Sequence, residues 1–259
     1  MQNRLKRLIK ESLDFSSFKM NKQLNPTIWT KNKMNEDISD ALLQIAKDYF
    51  ISLNLNIPVK DILMTGSLAN YNWSKYSDID LHILINIDKF KDNKELFKEL
   101  IDSKTRAWND NHDIKIKGYD VELYMQDINE PHHSTGVYSI LNNKWIVEPK
   151  IQDDSMDKKT ITRKYNNIVN SVNDSIKEFK SDDDHDKLIE TLNKIKDKIK
   201  KMRTAGLEGK GEYSTENIIF KLLRRNDIMK KINDVINKTY DGSMSIDEMF
   251  INSINEEEF

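Results

Sequence analysis

The spacing of apolar residues changes character once along the chain, near Pro149. Before that point, alternating and helical patterns intermingle. Leu5, Leu8, Ile9 and Leu13 make a brief helical stripe, and Pro26 turns Leu24–Trp29 into a loop. Ile38, Leu42, Ile45, Ala46 and Tyr49 recur at helical spacing behind Asn35, Glu36 and Asp37, which read as a helix start. Asp61–Thr65 is a short apolar strand ended by Gly66. Asp78–Ile85 alternates, with Ile79, Leu81, Ile83 and Ile85 on one face. Leu96, Phe97, Leu100, Ile101 and Trp108 predict a further helix, and Asp120–Met125 a further strand. Val137–Leu141 and Lys144–Val147 flank Asn142–Asn143 as a hairpin.

Beyond Pro149 the strand signals stop. Ile161, Tyr165, Ile168, Val172, Ile176 and Phe179 predict one long amphipathic helix, and Leu188, Leu192, Ile195, Ile199 and Met202 a second. The acidic run Ser181–Asp186 connects them. Gly206–Gly211 is the most glycine-rich stretch and predicts a loop. Ser214 is placed to cap a helix carrying Ile218, Ile219, Leu222 and Leu223. Ile228, Met229, Ile232 and Ile236 predict a last core helix, and Asn255–Phe259 a frayed acidic end. The expectation is an α/β (α+β) lobe over residues 1–150 and an all-helical lobe over residues 151–259, with no internal repeat.

Composition narrows the chemistry. Of 259 residues, 37% are hydrophobic and 32% charged, enough for a core beneath a charged exterior. A net charge of -2 gives no global attraction to nucleic acid or membrane, so a polyanion site must be a local patch. With no cysteine, the chain has no disulfide, thiolate metal site or thiol nucleophile. No apolar stretch is long enough to span a bilayer, and Met1–Leu13 lacks a signal-peptide core. These features predict a cytoplasmic protein with no membrane partner.

The informative segment runs from Met64 to Ile85. Asp78 and Asp80 lie two apart on a predicted strand, so both carboxylates project from the face opposite the apolar residues. Their α-carbons should be about 6–7 Å apart, close enough for both to meet a pair of divalent ions. Hard oxygen ligands favour Mg²⁺, with Mn²⁺ as the substitute. Upstream, Gly66 and Ser67 end a strand where a short helix can begin; glycine permits close backbone approach, while Ser67 and nearby N–H groups suit a phosphate. A lone Asp-x-Asp is equally a solvated strand face, and some sugar-transfer enzymes place such a pair on a metal. The Gly-Ser turn followed by Asp-hydrophobic-Asp-hydrophobic is much more specific.

In these residues the chain resembles the polymerase β-like nucleotidyltransferase superfamily, and within it the small nucleotidyltransferases of bacteriophages. The resemblance implies a small mixed sheet, with Gly66 and Ser67 on the phosphates of a nucleoside triphosphate such as ATP, and Asp78 and Asp80 on Mg²⁺. It also implies a third carboxylate from a nearby strand, for which Asp120 and Glu122 are the candidates. Glu122 is preferred, because an acid between Val121 and Leu123 in mid-strand is costly without a partner. The implied reaction transfers a nucleoside monophosphate to an acceptor hydroxyl with release of pyrophosphate. Phage members would work in the host cytoplasm.

Triphosphates need cations, which the superfamily commonly draws from a helical lobe. Arg203, Lys221 and Arg224 are the candidates here, whereas Lys194–Lys200 reads as a solvated helix face. The helical lobe is thus expected to complete the nucleotide site. His132 and His133 lie in a polar loop that suits phosphate or ribose as readily as solvent, and five histidines without cysteine make zinc a poor fit. His82 shares the acidic strand face, where a hydrogen bond behind the metal ligands is the expected role. Trp29, Tyr71 and Trp73 are candidates for base stacking or simple packing. The acceptor is a protein, a small molecule or a short RNA end, and the sequence is silent on oligomeric state. A nucleotide-binding regulatory or defence-system partner with little turnover is the alternative reading.

Overall fold

The protein is described here from a computed structural model covering residues 13–55, 57–132, 134–151, 156–179 and 185–245. Leu5, Leu8 and Ile9, His133, residues 181–184 of the acidic connection and Asn255–Phe259 lie outside the described residues. The chain forms two compact units, Met1–Ser155 and Met156–Phe259.

In the first unit a 3₁₀ turn, Ser16–Phe18, precedes a tiny antiparallel pair, β1 (Trp29–Thr30) and β2 (Lys33–Met34). Helix α1 (Glu36–Ser52) follows, with Glu36 and Asp37 in its first turn where the helix dipole favours negative charge. Strands β3 (Val59–Thr65) and β4 (Ile79–Ile85) come next, then α2 (Lys94–Asn111), β5 (Lys115–Ile116), β6 (Tyr119–Asp127), β7 (Val137–Ser139) and β8 (Lys144–Val147). The strands from β3 onward make one sheet in the order β5-β6-β4-β3-β7-β8. Among the described residues only β4 and β6 run parallel, with α2 in the connection between them, so the sheet is mixed.

One face of this sheet is dry. Ile79, Leu81, Ile83 and Ile85 of β4 are all at most 1% exposed, as their alternation predicts, and Leu123 and Met125 continue the layer on β6. Ile38, Leu42, Ala46 and Tyr49 of α1, and Phe97 and Ile101 of α2, join the same core. Its buried hydroxyl is satisfied: Tyr49 and Thr105 share a hydrogen bond of 2.6 Å. Leu96 and Leu100, expected in the helix core, are instead exposed. The burying stripe passes through Phe97, Ile101 and Thr105, one residue round the helix from each leucine. The loop around Pro26 delivers Leu24 and Ile28 to the core, and Trp29 opens β1 rather than closing the loop.

Beyond its short pairing with β5, strand β6 borrows a partner from α2. The Asn109 amide donates to Leu123 O (2.9 Å) and accepts from Leu123 N (3.0 Å), replacing a strand neighbour beside Glu122.

Among the described residues the second unit has four α-helices, α3 (Lys158–Glu178), α4 (His185–Gly209), α5 (Thr215–Arg225) and α6 (Ile228–Met244), with one 3₁₀ turn, Gly211–Tyr213, between α4 and α5. Asp157 caps α3, accepting from Thr160 N, and Ser214 caps α5, accepting from Asn217 N. The loop expected over Gly206–Gly211 does not form. Helix α4 continues through Gly209, and the chain turns only at Lys210 and Gly211, whose φ is 70°. A glycine costs a helix about 1 kcal/mol, too little to stop one whose flank is buried. Gly206 is there for closeness: a Cβ on it would meet Ser214 Oγ at 2.6 Å and Glu216 Cβ at 2.7 Å.

Candidate active site

The polar face of the sheet carries the candidate chemistry. Antiparallel register sets Thr65 of β3 opposite Asp80, and parallel register sets Glu122 of β6 beside Asp80 on the other side. Asp78, just before β4, reaches the same place. Asp78, Asp80 and Glu122 each offer a carboxylate oxygen within 4.8 Å of the others, and all three residues are half-buried. Asp78 and Asp80 come from the residue before one strand and from its start, but Glu122 lies 42 residues beyond Asp80 and arrives through pairing that alternation alone does not specify.

Asp120, the other candidate, goes elsewhere. It is exposed and ion-paired with Lys115 on the neighbouring β5. Glu122 is held differently: the Tyr124 hydroxyl donates to its Oε2 at 2.5 Å. Burial, then the nearby charge of Asp80, the bond to Glu122 and the charges of Glu122 and Asp78 push the Tyr124 phenol far above its ordinary range. It therefore remains a donor at any working pH.

Gly66 sits against these acids with φ 76° and ψ -162°, a conformation essentially reserved for glycine. Ser67 opens a single 3₁₀ turn, Ser67–Ala69, shorter than the helix the sequence suggests. Its hydroxyl is bonded to that of Ser77 at 2.7 Å, tying the turn to the segment that leads into β4. Ser134 Oγ accepts from Gly66 N (3.3 Å) and donates to Gly136 O (2.9 Å). A Cβ on Gly136 would be 2.0 Å from Ala69 O, so backbone lies on backbone there.

Further along the same face, His82 stacks on Tyr124 with ring centroids 4.9 Å apart, and its Nδ1 is bonded to Gln126 Oε1 at 2.8 Å. Burial lowers its pKa to about 4, against the smaller upward pull of Gln126. His82 is thus a neutral ring at physiological pH, one row removed from the three acids. Trp29 is a packing residue: it is 4% exposed, stacks on Trp145 at 4.6 Å and donates to Leu68 O. Trp73 donates to Gln23 O, and Tyr71 packs against the core. The sequence reading missed Tyr124 and Ser134. Tyr124 had a signal, since it falls two after Glu122 on an alternating strand; Ser134 acts through loop closure and had none.

Three carboxylates converging beside a glycine turn can bind divalent cations and a phosphate chain together. Residues 43–147 match the family model of the nucleotidyltransferase domain. Over this span the chain matches a nucleotidyltransferase domain of the polymerase β-like superfamily. The matched span begins inside α1 and ends with the last residue of β8, so it includes all three acids and the Gly66–Ser67 turn. No curated protein and no solved structure matches the chain significantly. Arg203, Lys221 and Arg224 lie outside the matched span, on the helical unit. There the Arg203 guanidinium lies over the Phe220 ring at 4.2 Å, Lys221 is half-buried, and Arg224 is exposed in the last turn of α5. No helix among the described residues is long and apolar enough to cross a membrane.

Proposed function

We propose that this nucleotidyltransferase moves a nucleoside monophosphate from a triphosphate to an acceptor hydroxyl, using Asp78, Asp80 and Glu122 as ligands for Mg²⁺ or Mn²⁺. The observation that carries this reading is the meeting of three carboxylate oxygens within 4.8 Å on one sheet face. Like charges so close repel unless a cation neutralises them, and their hard oxygens suit these two ions. When bound, such ions would polarise the phosphates and lower the pKa of the acceptor hydroxyl.

The chain's own residues supply the rest. Gly66 lets backbone approach the phosphates where a side chain would intrude, and Ser67 and Ser134 fix the turn. Glu122, oriented by Tyr124, is placed to take the acceptor proton. The acceptor oxygen bonds to the α-phosphorus while the bond from that phosphorus to the pyrophosphate bridging oxygen breaks. Arg203, Lys221 and Arg224, on the helical unit, belong to the same proposal as cations for the triphosphate.

Thermal unfolding with each nucleoside triphosphate, with and without Mg²⁺, tests the reading. Stabilisation should require both components and should disappear in Asp78→Ala and Asp80→Ala, which should also lose all transfer from α-labelled triphosphate. A wild-type protein indifferent to Mg²⁺ and triphosphate together overturns it.

A further inference from the structure

Next to the three acids lies a cavity of roughly 490 Å³, lined by Thr65, His82, Lys98, Asp102, Tyr124 and Glu130, among others. Its volume is within the usual range for small-molecule pockets, about 300–1,000 Å³. Two of its walls are tied directly to the acid site. Tyr124 lines the cavity and donates to Glu122. Ser134 lines it as well and is bonded to Gly66 N. A molecule seated here is therefore in reach of Tyr124, whose hydroxyl is bonded to Glu122.

The cavity wall is also selective in charge. Asp102 and Glu130 are set against a single ammonium, Lys98, which is already paired with Glu130 at 2.5 Å. The remaining lining has no carboxylate or ammonium: Thr65, Tyr124, Gln126 and Ser134 offer hydrogen bonds beside His82 and His132, and Met125 and Pro131 are apolar. A phosphodiester chain brings at least one negative charge per nucleotide and needs cations that this wall does not have to spare.

Building on the reading above, we infer that this cavity is the acceptor subsite and that it takes a small hydroxyl-bearing molecule without phosphate groups, preferentially one carrying an amine. The acceptor hydroxyl attacks the α-phosphorus, its proton passes to Glu122, and pyrophosphate leaves with the electrons of the broken P–O bond. The amine stays free and rests near Asp102.

Three probes with one carbon skeleton test the charge preference: 3-aminopropane-1,2-diol, glycerol and glycerol 3-phosphate. They are offered with Mg²⁺ and α-labelled triphosphates to the full chain, beside an oligoribonucleotide with a free 3′-hydroxyl, and the O-linked adducts are counted. The amine should be labelled fastest and the phosphate slowest, about tenfold apart, as expected for one charge a few ångströms from another in a partly solvated site. Asp102→Asn should narrow that ratio and Lys98→Gln should widen it, opposite shifts that loss of folding cannot produce. Preference for glycerol 3-phosphate or the oligonucleotide overturns the inference, as does a ratio that fails to move in opposite directions. If no probe is labelled while Mg²⁺ and triphosphate still stabilise the protein, the acceptor inference falls alone. If that stabilisation is absent too, the nucleotidyltransferase reading falls with it.

Discussion

Gly66 and Asp80 compete for one volume: a Cβ built on Gly66 would lie 1.7 Å from Asp80 Oδ2. Glycine at this turn is therefore a condition for the acid's position, and not only for a bend in the chain. Gly66→Ala should displace the Asp80 carboxylate and strain the backbone by about 1–3 kcal/mol, since φ 76° with ψ -162° excludes a side chain. Thermal unfolding should show a modest loss without ligand and the disappearance of Mg²⁺-dependent stabilisation by triphosphate. Retained stabilisation would mean that Asp80 has another place to go.

The third acid can be checked by pairing two conservative changes. Glu122→Gln should reduce transfer by orders of magnitude if Glu122 is the third metal ligand proposed above, because it replaces a carboxylate next to Asp80 with a neutral amide. Asp120→Asn should be mild, because Asp120 is exposed and paired with Lys115. Turnover under saturating Mg²⁺ separates them, and the reverse ranking would move the ligand to Asp120.

Arg224→Ala should weaken triphosphate binding more than monophosphate binding, by about 1.5–3 kcal/mol for one lost charge-assisted hydrogen bond. Calorimetric titration with a non-hydrolysable triphosphate measures this. Unchanged affinity in a folded variant would overturn the proposed role of Arg224.

At Gly206 two effects oppose each other. Alanine favours a helix by about 1 kcal/mol, whereas overpacking costs about 1–3 kcal/mol. With Ser214 and Glu216 both within 2.7 Å of the new Cβ, overpacking should win, and Gly206→Ala should lower urea stability. A stabilised variant would show that α4 and the start of α5 can move apart freely.

The pair Lys164–Glu216, 2.8 Å long, makes the helical unit sensitive to acid. The hydrogen bond from Lys164 is the largest influence on the Glu216 carboxyl and holds it below its ordinary value of 4.5. An acid depressed on folding adds stability above its unfolded pKa, and that gain is lost as pH falls through the folded value. Both groups are partly exposed, so Lys164→Met should cost about 0.2–1 kcal/mol at pH 7. Below pH 4.5 the gap between variant and wild type should close progressively. Denaturant melts at neutral and acid pH measure it, and an equal gap at both would assign the contribution to packing.

Much of the local architecture was legible in the chain itself. Alternation from Ile79 to Ile85 settled which face of β4 is buried, because a strand has no other way to hide four apolar residues. The same rule assigned Asp78 and Asp80 to the opposite face, and the Ser214 cap followed from side-chain chemistry alone. Other features depended on partners distant in sequence. Parallel pairing brought Glu122 to Asp80, while a lysine on β5 drew Asp120 away; alternation treats those two acids alike. Leu96 and Leu100 have the right spacing for a core yet face solvent, since only contact with the sheet decides which stripe of α2 is inward. Gly206 reads as a loop residue until Ser214 and Glu216 are packed against it. The sequence determined periodicities, caps and the charges available on each strand; only the tertiary structure decided which charges meet, because register and close packing are relations between segments that no single segment encodes.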